Sequence, residues 1–362
     1  MTTLKAAIVG PGRIGSTYDD EVPVHRDASF FQDDLRHSGL YTVHPINHAA
    51  GYRSTPGYDL VAVVGRGAER LTAFKERWQV PGYTDLEQML EEQQPDVVSV
   101  CTQSAEKAEI TCAIARHGGS VKVIIVEKAM ATSMAETDQM LAACDEAGIH
   151  LVIDHPNRFS SQVRRAKTVS GQGDIGPLGT VSGWSSASAI HGGTHVFDVL
   201  RYFGGDIVEV MAGSPPQAEW RDGPVSGTLR FASGVVGFFS LERPAMAGFD
   251  LRGADGQLVL SSIVGESWIT KTSLLDPESS RKYPQVAVRE PFHPEPPERS
   301  TMQQLLLDVQ DLIGTGTPVP STGIDGAAAL EAGIAALLSA RERRAVSLPL
   351  TGPERDIVIP NR

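Results

Sequence analysis

Residues 4–15, LKAAIVGPGRIG, decide how the first half of the chain is read. An apolar run from Leu4 to Val9 leads directly into Gly10, Gly12 and Gly15, a G-x-G-x-x-G pattern in the order strand, turn, helix start. The first glycine permits a tight turn, the second lets backbone approach a pyrophosphate, and the third allows close packing of helix on strand. Gly10, Gly12, Arg13, Ile14 and Gly15 are therefore the expected dinucleotide-binding turn. A plain glycine-rich turn is the alternative reading.

The pattern continues outward from this turn. Strands are expected at 59–64, 96–101, 121–126 and 149–153, and helices at 68–78, 84–92, 105–117 and 133–147, the last closed by Gly148. Strands built from Val and Ile without polar alternation belong to a parallel sheet covered on both faces. The expected class is α/β, with an N-terminal doubly wound Rossmann sheet. Ligands of such sheets bind beyond the carboxyl ends of the strands. There the sequence offers Gly65 and Arg66, then Thr102, Gln103 and Ser104, then Glu127 and Lys128. Gly65 stands where an acidic residue commonly binds the adenosine ribose. Arg66 beside it either meets a 2′-phosphate or stacks in solvent, so NAD and NADP both stay open.

With 362 residues the chain exceeds one compact core, since single domains stop growing at roughly 250 to 300 residues. Acidic residues outnumber basic ones 44 to 32 and no basic stripe offsets this, which argues against nucleic acid as a partner. The N-terminus lacks the sections of a secretory signal, and no apolar run is expected to span a bilayer, so a cytoplasmic protein is expected. Cys101, Cys112 and Cys144 lie in apolar segments and read as packing thiols.

The stretches VVSVCTQSAEKAEITCAIARHG and VKVIIVEKAM, then LVIDHPNRF, IGPLGTVSG and HGGTHVFDVLRYFGG, and finally the closing segment from MQQLLLDV to SLPL, resemble the Gfo/Idh/MocA oxidoreductases in this order. The family triplet Glu-Lys-Pro, whose proline often takes a cis bond, is here Glu127, Lys128 and Ala129. The resemblance implies a Rossmann domain over 1–153 with an insertion at about 17–57. An α+β domain with a large open antiparallel sheet follows over 154–340, then a C-terminal segment over 341–362. Alternating runs such as SGTLRFA, VVGFFSL, GFDLRGA and GQLVLSS agree with such a sheet. It further implies a homodimer or homotetramer through that sheet, an NAD(P) cofactor held in part by Thr102, Gln103, Glu127 and Lys128, and a small carbohydrate or cyclitol substrate.

Oxidising a secondary alcohol needs a base for the hydroxyl proton and a donor or cation for the developing alkoxide. By resemblance Lys128 and His195 are that pair. His191 replaces a family aspartate and is a further catalytic candidate. His155, Arg158 and Asp198 are expected on the substrate side, with Asp198 able to orient His195 and Arg158 alternatively tying the domains together. Arg164, Arg165 and Lys167 form either an anion-binding cluster or a solvated helix face. The insertion carries Asp19, Asp20, Glu21, His25, Arg26, His37, His44 and His48 with Phe30, Phe31 and Tyr41, and is expected to line or cover the cleft. Its histidines lack metal-ligand spacing, and no metal is expected. The leading expectation is net hydride transfer at a sugar or cyclitol alcohol; the alternatives are a redox-neutral NAD-dependent glycosidase and a non-catalytic dinucleotide sensor.

Overall fold

Six short strands made almost wholly of buried Val, Ile, Leu and Ala build the first sheet. A computed structural model describes residues 3–21, 44–214, 221–242, 247–261, 267–274, 285–292 and 299–360. The strands are β1 (Leu4–Val9), β2 (Tyr58–Val64), β3 (Gly82–Tyr83), β4 (Val97–Val100), β5 (Val123–Glu127) and β6 (His150–Asp154). They run parallel in the order β3-β2-β1-β4-β5-β6. Every residue of β4 and β5 is buried, as a sheet covered on both faces requires. The strand order reverses beside β1, which opens a crevice at the carboxyl edge between β1 and β4.

The connecting helices are α1 (Tyr18–Glu21), α2 (His48–Ser54), α3 (Ala68–Trp78), α4 (Leu86–Gln93), α5 (Ser104–His117) and α6 (Met134–Ala147). Helix α4 begins two residues later than its apolar pattern indicates, because the Asp85 side chain accepts from the Gln88 N–H and so caps it. Gly148, at φ +66°, closes α6. The helix expected after the glycine turn is only a π-helical turn, Arg13–Thr17, followed by the four residues of α1.

Two more helices, α7 (Pro156–Phe159) and α8 (Ser161–Gly171), lead into the second sheet. Its strands are β7 (Leu178–Trp184), β8 (Ile207–Gly213), β9 (Ser226–Phe231), β10 (Val236–Ser240), β11 (Gly248–Gly253), β12 (Gly256–Ser261), β13 (Trp268–Leu274), β14 (Gln285–Pro291) and β15 (Val346–Ser347). They lie in the order β14-β13-β12-β11-β7-β10-β9-β8-β15. The sheet is not purely antiparallel as expected, since β7 and β10 pair in parallel. The cause is helix α9 (Gly193–Gly204), which carries the chain across between β7 and β8. Strand β8 is antiparallel to β9, and β9 to β10, so β10 comes back beside β7 in the same direction.

Helices α10 (Thr301–Thr315) and α11 (Gly323–Glu342) complete the fold. Helix α10 packs against α2, and the Tyr58 hydroxyl at the start of β2 donates to the Leu306 carbonyl at 2.7 Å. Helix α11 lies against β6 on one side and β8 and α9 on the other, joining both halves. It reaches the length and apolarity of a membrane span, which the sequence reading missed, yet 72% of that window is buried inside the fold. The opposite face of the second sheet carries Met211, Val236 and Phe238, which are 44%, 41% and 46% exposed.

Candidate active site

A cleft of ≈ 1600 Å³ opens at the carboxyl edge of the first sheet, bounded by the glycine turn, the ends of β2, β4, β5 and β6, and the start of α9. At one end the backbone is shaped for a pyrophosphate. Gly10 has φ +109°, and a Cβ there would lie 2.9 Å from the Cys101 carbonyl carbon. A Cβ on Gly15 would lie 2.4 Å from the Gly10 oxygen, whereas one on Gly12 would meet nothing within 4 Å. The turn is thus closed beneath and open towards the cleft, and the buried Thr102 hydroxyl on the cleft wall has no partner among the described residues. These residues fit a nicotinamide dinucleotide.

Gly65 also has a steric cause: a Cβ there would stand 2.6 Å from the Pro11 ring, so no acidic side chain can follow β2 in this arrangement. Arg66 lines the cleft with its guanidinium paired to Glu106, and Arg13 is paired to Glu21 and lies over the Tyr18 ring. Ile14 lines the same end. Gln103 precedes α5 at the cleft wall.

The other end gathers ionisable side chains. Lys128 follows the last residue of β5, and the Lys128–Ala129 peptide is cis, although alanine replaces the proline. Its Nζ donates to the His191 carbonyl at 2.8 Å, bridging the two halves. Burial, working against Glu127 and Asp154, holds the Lys128 ammonium below its ordinary range. His191 and His195 line the cleft beside it. Lys128, ahead of burial, pushes the His191 imidazole down. Burial, then Lys128, His155 and His191, place His195 well below the ordinary histidine range, so its ring is neutral at neutral pH. Its Nδ1 has no hydrogen-bond partner among the described residues.

His155, Arg158 and Asp198 do not reach this cleft. The Arg158 guanidinium donates to both Asp198 oxygens at 2.8 Å and to the Pro320 carbonyl at 3.0 Å, all in the interior. Asp198 therefore does not orient His195, because Arg158 saturates it and the nearer imidazole is His155, 3.5 Å away. His155 is buried edge-on to His195, with ring centroids 5.9 Å apart. The basic cluster is equally committed: Arg164 pairs with Asp308, Arg165 lies over Phe292, and Lys167 donates to the Tyr202 carbonyl at 2.5 Å. Arg165 stays exposed, while Arg164 and Lys167 are half-buried and bonded within the fold.

Of the insertion, Ser16, Thr17, Tyr18 and Ile46 line the cleft, Asp19 accepts from the Ile46 and Asn47 N–H groups, and Asp20 pairs with Arg77. His25, Arg26, Phe30, Phe31, His37 and Tyr41 lie outside the described residues. His48 is wholly buried, and its Nε2 joins one Glu127 and one Asp154 oxygen in a group of potential ligand atoms within 4.8 Å of one another, a convergence that spacing along the chain did not show.

Residues 39–155 match the model of an oxidoreductase family with an NAD-binding Rossmann fold, GFO_IDH_MocA. Along 327 residues the chain is 26% identical to myo-inositol 2-dehydrogenase of Thermotoga maritima, covering 83% of this chain and 94% of that one. Over residues 39–155 the chain thus matches the Gfo/Idh/MocA oxidoreductases, and it is similar to this dehydrogenase along most of its length. A second relative, 1,5-anhydro-D-fructose reductase of Ensifer adhaerens, is 26% identical over 64% of this chain and 77% of its own. Among solved structures, aldose-aldose oxidoreductase from Caulobacter crescentus with glycerol superposes at TM-score 0.75, 20% identity, over 96% of this chain and all of that one. Levoglucosan dehydrogenase with NADH and levoglucosan superposes at 0.72, with 19% identity and 96% and 100% coverage. These structures share the fold.

Within this site two further residues were not picked out from the sequence. Lys107 is buried, and its Nζ donates to the carbonyls of Glu127, Lys128 and Ala129 at 2.6, 3.2 and 2.8 Å, fixing the loop that presents Lys128. Burial pushes its ammonium down to about 8. A lysine on the same stripe as Ser104, Ala108, Thr111 and Ala115 was the available signal. Asp222 accepts from the Ile190 and His191 N–H groups at 2.8 Å each and from the Ser188 hydroxyl at 2.5 Å, shaping the turn that carries His191. Nothing in the local sequence marks it.

Proposed function

We propose that this enzyme transfers hydride, with NAD(P), at a secondary alcohol of a sugar, sugar derivative or cyclitol. The observation that carries the reading is the Lys128 amine, tied to the His191 carbonyl and facing the same cleft as His195 and the glycine turn. A bound nicotinamide supplies the hydride acceptor or donor. Lys128 holds the reacting hydroxyl oxygen and exchanges its proton, and its lowered proton affinity suits that work. His195, neutral, accepts or returns a proton within the same cleft, and the side chain of His191 adds a contact to the polyol. The substrate class is supported by the relatives, which are named for myo-inositol and 1,5-anhydro-D-fructose. The pairing of Arg66 with Glu106 does not choose between NAD and NADP.

We also read the protein as cytoplasmic, with domains at 1–153 and 154–340, and as a homodimer or homotetramer whose subunits meet over the sheet face of Met211, Val236 and Phe238. The test is to denature the purified protein, identify any released dinucleotide by mass spectrometry, and assay it with myo-inositol, levoglucosan and 1,5-anhydro-D-fructose. Absorbance change at the reduced nicotinamide band is the expected result. Release of aglycone from an aryl glycoside, with no net absorbance change and solvent deuterium at the sugar C2, would replace this reading with the glycosidase.

A further inference from the structure

Glu127 and Asp154 are register partners on adjacent parallel strands, so their carboxylates stand side by side at the sheet edge. Two buried carboxylates do not both ionise unless cations lie close. Lys128 approaches from the cleft and Lys107 from α5; both act on Glu127, and Lys128 acts on Asp154. The third cationic group comes from outside the Rossmann repeat. His48, first residue of α2, puts Nε2 3.2 Å from Glu127 Oε1 and 3.7 Å from Asp154 Oδ2. Its Nδ1 lies 2.9 Å from the Ser99 hydroxyl, which in turn meets the Tyr52 hydroxyl at 2.6 Å. Tyr52 is one helical turn after His48, so α2 supplies both the ring and the support behind its clamp.

We propose that His48 is a positioning residue of the active site: as an imidazolium it holds the Glu127 and Asp154 carboxylates together and sets the charge that Lys128 faces. The inference rests on the reading of Lys128 as the proton-exchanging group. It gives the end of the insertion a place in the chemistry. Burial alone would favour a neutral His48 ring, but the Glu127 carboxylate at 3.2 Å opposes burial and raises its proton affinity. Burial raises the Cys101 thiol, leaving the carboxylates as the standing negative charge. Burial and Glu127 together push Asp154 up to about 7 even with His48 and Lys128 opposing, whereas Glu127 is held below its ordinary range. The remaining charged or titratable groups facing Lys128 are Asp222, His155, His191 and His195. A divalent cation would use a similar ligand spacing, but the His48 ring is already partnered at both nitrogens, and Lys107 and Lys128 supply competing positive charge.

Removing a positive charge raises the pKa of every neighbour, whatever its type. In His48→Gln, competitive acetylation of the apoprotein with acetic anhydride across a pH series, read by peptide mass spectrometry, is expected to move the Lys128 midpoint up. The shift is on the order of one pH unit. His48→Lys is expected to bring it back, and the pH profile of kcat with myo-inositol to move by the same amount. A purely structural His48 would lower kcat at all pH values and leave both midpoints in place, which overturns the proposal. So does a stoichiometric divalent ion in the purified wild type that His48→Gln loses. If the variants do not fold, nuclear magnetic resonance of 15N-histidine wild type decides: an imidazolium at about pH 7.5 is expected, and a neutral ring overturns. Turnover retained in Lys128→Met would defeat the reading of Lys128, while the labelling result still judges His48.

Discussion

The two ends of the cleft are built on opposite principles. The phosphate end is centred on twelve contiguous residues, and its requirements are largely for absent side chains: atoms added at Gly10, Gly15 or the neighbouring Gly65 would strike the Cys101 carbonyl, the Gly10 oxygen or the Pro11 ring. The lysine end comes from six separate stretches, around His48, Ser99 to Lys107, Glu127 to Ala129, Asp154, Ser188 to His195, and Asp222, held by side-chain contacts between them. A contiguous site is specified by backbone conformation, and a convergent one by the pairing of charges brought from far apart. Errors at the first should change binding; errors at the second should change turnover and its pH dependence.

The sharpest way to break this contrast is Lys128→Met. We expect kcat to fall about 10³-fold, on the order of 4 kcal/mol in barrier, with the dissociation constant for the dinucleotide nearly unchanged by fluorescence titration. Equal losses in kcat and cofactor affinity would mean that the two ends are one unit. Next in size is Lys107→Met. Three buried carbonyls lose their donor, so we expect a stability loss of about 3 kcal/mol in urea unfolding, together with a lower kcat from the loosened Lys128 loop. Wild-type stability in this variant would show that the ammonium is dispensable to the loop.

What was legible in the sequence follows the same division. Periodicity located the larger elements of the first sheet, because a doubly covered strand must be apolar throughout and the glycine turn is local. It missed the parallel β7–β10 pair, since the crossover by α9 is a fact of topology that leaves no mark on β10. Lys128, His191 and His195 were found through family resemblance, and the structure places all three on one cleft. Arg158 and Asp198 were assigned to that cleft although they neutralise each other inside the fold, because the sequence shows two charges and not their distance. His48 was visible as a residue but not as a partner of Glu127, 79 positions away.

At the phosphate end, Gly15→Ala adds one methyl group against the Gly10 oxygen, and the turn must shift by several tenths of an ångström to admit it. Dinucleotide affinity is expected to fall about tenfold to thirtyfold, near 2 kcal/mol, while kcat at saturating cofactor stays within about twofold. A fall in kcat without a change in affinity would contradict the division between the ends.

The smallest expected effect tests how tightly the lysine end is wired. In Asp222→Asn one oxygen remains, but an amide NH₂ replaces the other and faces donors that it cannot accept from. The turn carrying His191 loosens, and with it the carbonyl that holds Lys128. The substitution also removes a negative charge that favours the Lys128 ammonium. The sign follows: the Lys128 midpoint should move to lower pH, opposite to His48→Gln, so activity limited by the free amine persists further into the acid range. The expected cost in kcat/KM near neutrality is about fivefold, roughly 1 kcal/mol, with cofactor affinity unchanged. If the pH profile moves with no loss in rate, Asp222 acts through its charge; if the rate falls with the profile fixed, it acts through the shape of the turn.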